Sequence, residues 1–232
     1  MILLSCETST LLGSVSLVKD GVILVEKKSE RQGSHSDHLH ATVEQCLNET
    51  NLTLEQIDIF CSGIGPGSFT GIRVSLNAIK TYSYIFKKPC MGMDSVTNMA
   101  QLAHRQSPGL GSMIVMINAF KNMLYYGVFN SQKDQLIQNV ATDVMHVKDL
   151  SKLITTPHLC LGDGFAAYEN YLKENLHEYL IRDSSFSDHP HSSMIALCQN
   201  SLKKSTWQDL LPIYLRASEA EENLRGIKFT PL

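Results

Sequence analysis

No excess of charge of either sign runs through these 232 residues: 20 lysines and arginines stand against 23 aspartates and glutamates, a net charge of −3. So even a balance gives little electrostatic grip on a polyanion or an anionic membrane, and any nucleic acid would be held mainly by something else. No apolar run approaches the roughly 18 residues of a membrane span. The opening "MILLSCE" carries neither a basic leader region nor a small-residue cleavage site, so the expected location is the cytoplasm. Six cysteines (Cys6, Cys46, Cys61, Cys90, Cys160, Cys198) stand singly in apolar segments. Without a C-x-x-C pair or a metal-type cluster, they read as reduced, buried thiols. Low-complexity tracts and fixed-period repeats are also missing.

What is present is a succession of strand and helix patterns, in a length that allows one large domain or two small lobes. Residues 2–7 are a short apolar run, "GSVSLVK" at 13–19 alternates, and "VILVEKKSE" at 22–30 follows a turn at Lys19, Asp20 and Gly21, which predicts a three-stranded meander. A helix over 34–50 sets Leu39, Val43, Cys46 and Leu47 on one face, with Ser34 or Ser36 as N-cap. "IDIFCSGI" at 57–64 is a strand leading into a glycine loop, and 71–87 is helical. On that helix Arg73, Asn77, Lys80, Tyr84 and Lys87 share a polar edge. Ile72, Val74, Leu76, Ala78, Ile79 and Tyr82 belong to an apolar arc far wider than the roughly 100° that packing on one sheet needs. The excess marks an association surface, shared with Leu39, Val43 and Leu47 of the preceding helix.

From Cys90 the pattern restarts: a short strand, a helix near 95–105, and strands at 111–120, 123–130 and 135–144. A strand and turn at 158–165, a helical stretch at 193–203 and an apolar "LLPIYLR" at 210–216 follow. The expected division is an N-terminal lobe at 1–90, carrying the glycine loop and the association helices, and a second lobe at 91–232.

The loop "SGIGPGSFTGIR" at 62–73 bears most on chemistry. Its glycines permit positive φ and close backbone approach, and the helix behind it offers unpaired N–H groups at a positive dipole end. Two readings stand: Gly65, Gly67 and Ser68 cradle an anion or a nucleotide phosphate, or they form a tight strand-to-helix turn with no ligand. It is not a Walker A loop, since the Gly-Lys-Ser/Thr ending is missing. Glu7 at a strand end, with Thr8, Ser9 and Thr10 in the next turn, admits the same pair: phosphate contacts beside an acid, or a polar turn. His35 and His38, with Asp37 between them, lack the i, i+4 spacing of H-E-x-x-H and read as a solvated first turn. "GDG" at 162–164 reads as a turn.

Taken in order, "ILLSCETST", "GSVSL", "HSDHLHATVEQCL", "GIGPGSFTGIRVSLNAIK", "INAFKNMLYY" and "PIYLR" resemble the TsaB family, also called YeaZ, over essentially the whole chain. The resemblance implies an α/β, actin-like ATPase fold (sugar kinase, Hsp70, actin) of two lobes, the second reduced. It implies a part in forming N6-threonylcarbamoyladenosine at position 37 of tRNA, beside a catalytic homologue, TsaD, and an ATPase, TsaE. In the catalytic relative a metal-binding H-x-x-x-H pair lies where this sequence reads "GMDSVTNMAQLA", with Ser95 and Met99 at the two ligand positions. Neither supplies an imidazole. The chain also departs from its own family, having Asn118 and Phe120 where relatives read the aspartate and arginine of "IDAR", and Glu7 for a strand-end aspartate.

The expectation is a non-enzymatic subunit, without cofactor or metal, that scaffolds and activates TsaD with TsaE. It would meet tRNA mainly through the complex and pair with a second copy in isolation. The alternative is a glycoprotein endopeptidase-like metallopeptidase, which would need a metal or a nucleophile with its base. Ser68 and Thr70 have no identifiable base nearby.

Overall fold

Residues 1–29, 35–217, 221 and 224 are described in a computed structural model, with the side chains of 35–37 outside the description. The N-cap candidates Ser34 and Ser36 and the His35 and Asp37 side chains therefore lie outside the described residues. The first three strands, β1 (Ile2–Glu7), β2 (Gly13–Lys19) and β3 (Val22–Ser29), form the antiparallel meander. Asp20 and Gly21 join β2 to β3 at φ of 51° and 80°, the paired positive values that suit the twist of a tight hairpin. β4 (Ile59–Gly63) lies parallel to β1, and β5 (Cys90–Met93) parallel to β4, giving the order β3-β2-β1-β4-β5.

Alternation along the central strands sends side chains to both faces of this sheet. Leu4, Cys6 and Phe60 pack beneath α1 (His35–Thr50) and α2 (Phe69–Phe86). Leu3, Ile59 and Cys61 face the opposite way, where Ile195 and Ala196 cover them.

The second sheet repeats the plan. α3 (Ser95–Gln106) leads to a meander of β6 (Gly111–Asn118), β7 (Met123–Ser131) and β8 (Leu136–His146). After α4 (Leu150–Leu153), β9 (His158–Leu161) pairs parallel with β6. After α5 (Gly164–Ala167) and α6 (Glu169–Leu176), β10 (Leu180–Arg182) pairs parallel with β9. The order is β10-β9-β6-β7-β8, the same sequence of roles as in the first sheet. Leu172 and Leu176 of α6 anchor it against Ile114 and Met116.

The tail departs from expectation. The helix predicted at 193–203 is confined to α7 (Ser192–Leu197), followed by a short turn at Gln199–Ser201, and "LLPIYLR" has no regular structure. Nor does the chain divide at residue 90. One unit comprises Met1–Asn98 with Pro190–Ile213, the other Met99–His189 with Tyr214–Leu232. The return of 190–213 has a packing cause: Ile195 and Ala196 are fully buried on the first sheet, and Ser205 forms a backbone bridge with Cys90.

A polar clip fastens α7. Glu26 on β3 accepts hydrogen bonds from the Ser193 amide at 2.9 Å and the Ser192 hydroxyl at 3.1 Å, and its other oxygen lies 3.5 Å from His191 Nδ1. Burial alone would raise the Glu26 pKa, but His191 and Ser193 outweigh it and hold it down at about 2. A carboxylate with a depressed folded pKa stabilises the fold above its unfolded value of 4.5 and loses that contribution as pH falls toward 2. Glu26→Gln is therefore expected to cost about 2 kcal/mol at pH 7. Urea denaturation across pH should show the gap closing between pH 4.5 and 2.

Candidate functional site

The sequence-predicted loop residues meet at one seam, where the β1–β2 turn presses against the loop between β4 and α2. The Ser68 amide donates to Ser9 O at 2.7 Å, and the Thr8 hydroxyl donates to Gly71 O at 2.6 Å. The approach is so close that a Cβ at Gly67 would sit 2.2 Å from Ser9 O, and one at Gly71 2.0 Å from Thr8 O. These glycines are required by contact, since any side chain would drive the two turns apart. Gly65, at φ +92°, turns the chain, and its carbonyl accepts the Ser95 amide at 2.8 Å. Ser68 caps α2 by accepting the Gly71 amide at 3.2 Å.

Glu7 closes the seam from beneath. Its carboxylate fills the space where Gly63 has no side chain, since a Cβ there would lie 1.9 Å from Oε2. The Ser9 amide donates to Glu7 Oε1 at 2.7 Å, and the Ser95 hydroxyl lies 2.8 Å from Ser9 Oγ and 3.5 Å from Glu7 Oε2. Glu7, Thr8, Ser9 and Ser95 are all essentially inaccessible to water. Burial pushes the Glu7 carboxyl above the ordinary carboxylate range, partly opposed by its hydrogen bonds from Ser9, Thr8 and Ser95.

The structure thus brings Glu7, Thr8, Ser9, Gly65, Gly67 and Ser68 together, but spends their groups on one another. The amides of Ser9, Ser68 and Gly71 have acceptors within the chain. Met99, at the second position of the catalytic relative's metal pair, is buried as core.

The association stripe is also corrected. Leu39, Val43, Ile72, Leu76, Ala78, Ile79 and Tyr82 are buried within this chain, while Leu47 and Val74 are partly buried. The wide arc of α2 has a second neighbour after all, the chain's own return segment. Leu210 joins the same core, and on the polar edge of the helix Lys80 Nζ donates to Leu210 O at 3.2 Å and the Tyr84 ring meets that of Trp207 edge to face at 5.4 Å. A groove of about 330 Å³ runs along α1, lined by His40, Glu44, Leu47, Asn48 and Tyr82, in which His40 Nδ1 lies 2.8 Å from the Tyr82 hydroxyl.

The second unit holds a counterpart that the sequence reading missed. Gly162, at φ +99°, leaves no room for a Cβ beside Met116 O, and Asp163 Oδ1 accepts the Asn118 amide at 2.8 Å. The "GDG" turn is therefore a partner of the β6 end, as the glycine loop is of the β1 end. The signal was the matched position of each glycine turn, just after the strand parallel to the first of its meander.

Two units of one strand order, each setting a polar strand end against a glycine turn, define an α/β protein built twice on one plan. A family model described as TsaD, tRNA N6-adenosine threonylcarbamoyltransferase, matches residues 28–224. The tRNA threonylcarbamoyladenosine biosynthesis protein TsaB of Bacillus subtilis is 23% identical over 95% of this chain and 96% of its own. That of Haemophilus influenzae is 26% identical over 97% of each. A solved Pseudomonas aeruginosa protein, described as similar to the peptidase YeaZ, superposes with a TM-score of 0.78 at 22% identity, over 93% of this chain and 99% of its own. The chain belongs to the TsaD family as that model defines it, and within it to the TsaB (YeaZ) proteins.

Two substitutions test the seam. Gly67→Ala should cost about 1–3 kcal/mol in urea denaturation, through forced separation of the turns. Glu7→Gln keeps an acceptor for the Ser9 amide and places no charge in the interior. Because the folded pKa of Glu7 is raised, its contribution to stability falls as pH rises above 4.5. Glu7→Gln should be at least as stable as the parent at pH 8, with the advantage shrinking toward pH 4.

Proposed function

We propose that this chain is a non-catalytic subunit for threonylcarbamoylation of tRNA adenosine, serving a catalytic homologue of the TsaD type as scaffold and activator. The observation that carries this reading is the Ser95 knot. At the first ligand position of the relative's metal pair, a buried hydroxyl is committed to Ser9 and Glu7, and the seam around it is shut by backbone contacts. Such a core transmits shape and is a poor place for a substrate.

Association is assigned to the α1 groove, whose exposed Glu44 and partly buried Leu47 flank the His40–Tyr82 pair. A catalytic homologue fits there as first partner, a second copy takes its place in isolation, and a TsaE-type ATPase joins the pair. tRNA is held mainly by the complex, since a chain of net charge −3 releases few counterions. A rival metallopeptidase needs ligands that converge. Among the described residues no three His, Cys, Asp or Glu side chains gather to hold a metal.

Reconstitution tests the proposal. With catalytic homologue, ATPase, activated donor and tRNA, modified nucleoside in digests should require this chain, and the chain alone should yield none. Product from the chain alone, or metal-dependent peptide hydrolysis, would overturn it. Glu44→Arg should leave the melting temperature unchanged and weaken co-sedimentation with the catalytic homologue several-fold.

A further inference from the structure

The β6–β7 hairpin turns through three consecutive residues with positive φ, Phe120 at 56°, Lys121 at 51° and Asn122 at 60°. The last two make the ordinary paired turn of a tight hairpin, closed by the Met123 amide on Phe120 O at 3.0 Å. Phe120 precedes that turn in a conformation that favours glycine or asparagine and penalises a Cβ. Among the described residues it is the one aromatic side chain held at positive φ. The residue gains little burial in return, being 63% exposed.

The turn is fixed in place around that ring. The Phe120 amide donates to Asn118 Oδ1 at 2.9 Å, and the Tyr168 hydroxyl reaches Asn118 Oδ1 at 3.2 Å and Met123 O at 3.4 Å. Arg216 donates to Phe120 O at 3.1 Å and also to Ala119 O. Cations are concentrated here in a chain that is acidic overall. Lys121 is in the turn, Arg216 clamps it, and Lys148 follows Val147, whose amide donates to Asn122 O at 2.8 Å.

We infer that the Phe120 turn is a stacking platform for an unpaired RNA base, with Lys121 and Arg216 placed to meet the adjoining phosphates. A rigid exposed aromatic flanked by cations is the combination that holds single-stranded nucleic acid without base-edge readout. Backbone strain without compensating burial is explained by what the ring does in contact with a ligand. The inference rests on the tRNA-modification reading and deepens it by naming a contact on this subunit.

The test separates strain from recognition. The full chain is titrated into an RNA hairpin carrying 2-aminopurine in its single-stranded loop, where stacking quenches fluorescence. Phe120→Gly should raise Tm by about 2 °C through relief of strain and weaken the quenching titration about tenfold. Phe120→Trp should retain the quenching, and the same RNA annealed into a full duplex should show none. A fall in Tm for Phe120→Gly would mean that the ring supports the fold. An unchanged titration, or loss of binding to the catalytic homologue with RNA binding intact, would also overturn the inference. Reconstitution distinguishes the two readings: if modification requires the chain but is indifferent to Phe120, only the stacking platform fails. If RNA quenching depends on Phe120 but modification never requires the chain, only the subunit role fails.

Discussion

The first unit depends on a close backbone approach, in which the carbonyls of Thr8 and Ser9 lie where side chains at Gly71 and Gly67 would be. Everything at the seam follows from it. The turn after β1 must be polar to supply hydroxyls and carbonyls to the helix end, the loop after β4 must be glycine-rich to admit them, and Ser95 must be small to fit between Glu7 and Ser9. A buried carboxyl is costly unless hydrogen-bonded. Glu7 is tolerated because Ser9 and Ser95 surround it, while burial shifts its pKa upward, toward the neutral form.

The second unit applies the same rule with other residues. Asn118 ends β6 as Glu7 ends β1, and Gly162 packs on Met116 O as the first unit's glycines pack on Thr8 and Ser9. What differs is the use made of the strand end. In the first unit its polar atoms are consumed inside, whereas in the second they brace a turn that points Phe120 outward. The two strand ends are thus put to different uses, one spent inside its unit and the other bracing a turn with an exposed aromatic ring.

Both meanders were legible in the sequence because alternation and turn residues are local properties: Asp20-Gly21 and the pattern of 111–144 suffice. The loop residues were also found, since glycine spacing at a strand-to-helix junction is a strong signal. That Ser9 and Ser95 take up hydrogen-bonding groups of the loop was not legible, because both are distant from it in sequence. Nor did the wheel of α2 show that its wide arc is met by Leu210, whose return follows the burial of Ile195 against Leu3 and Ile59. β10 and α6 escaped for a simpler reason: a three-residue strand and a helix with two buried leucines carry too short a period.

The chain itself fills the glycine seam, with Thr8, Ser9 and Glu7 against Gly71, Gly67 and Gly63. Native-state hydrogen exchange at the amides of Ser9, Ser68 and Gly71, with and without magnesium and ATP, tests it most directly. Slow exchange in the free protein that nucleotide leaves unchanged is the predicted result. Rapid exchange that becomes protected when nucleotide is added would show an open anion cradle and contradict it.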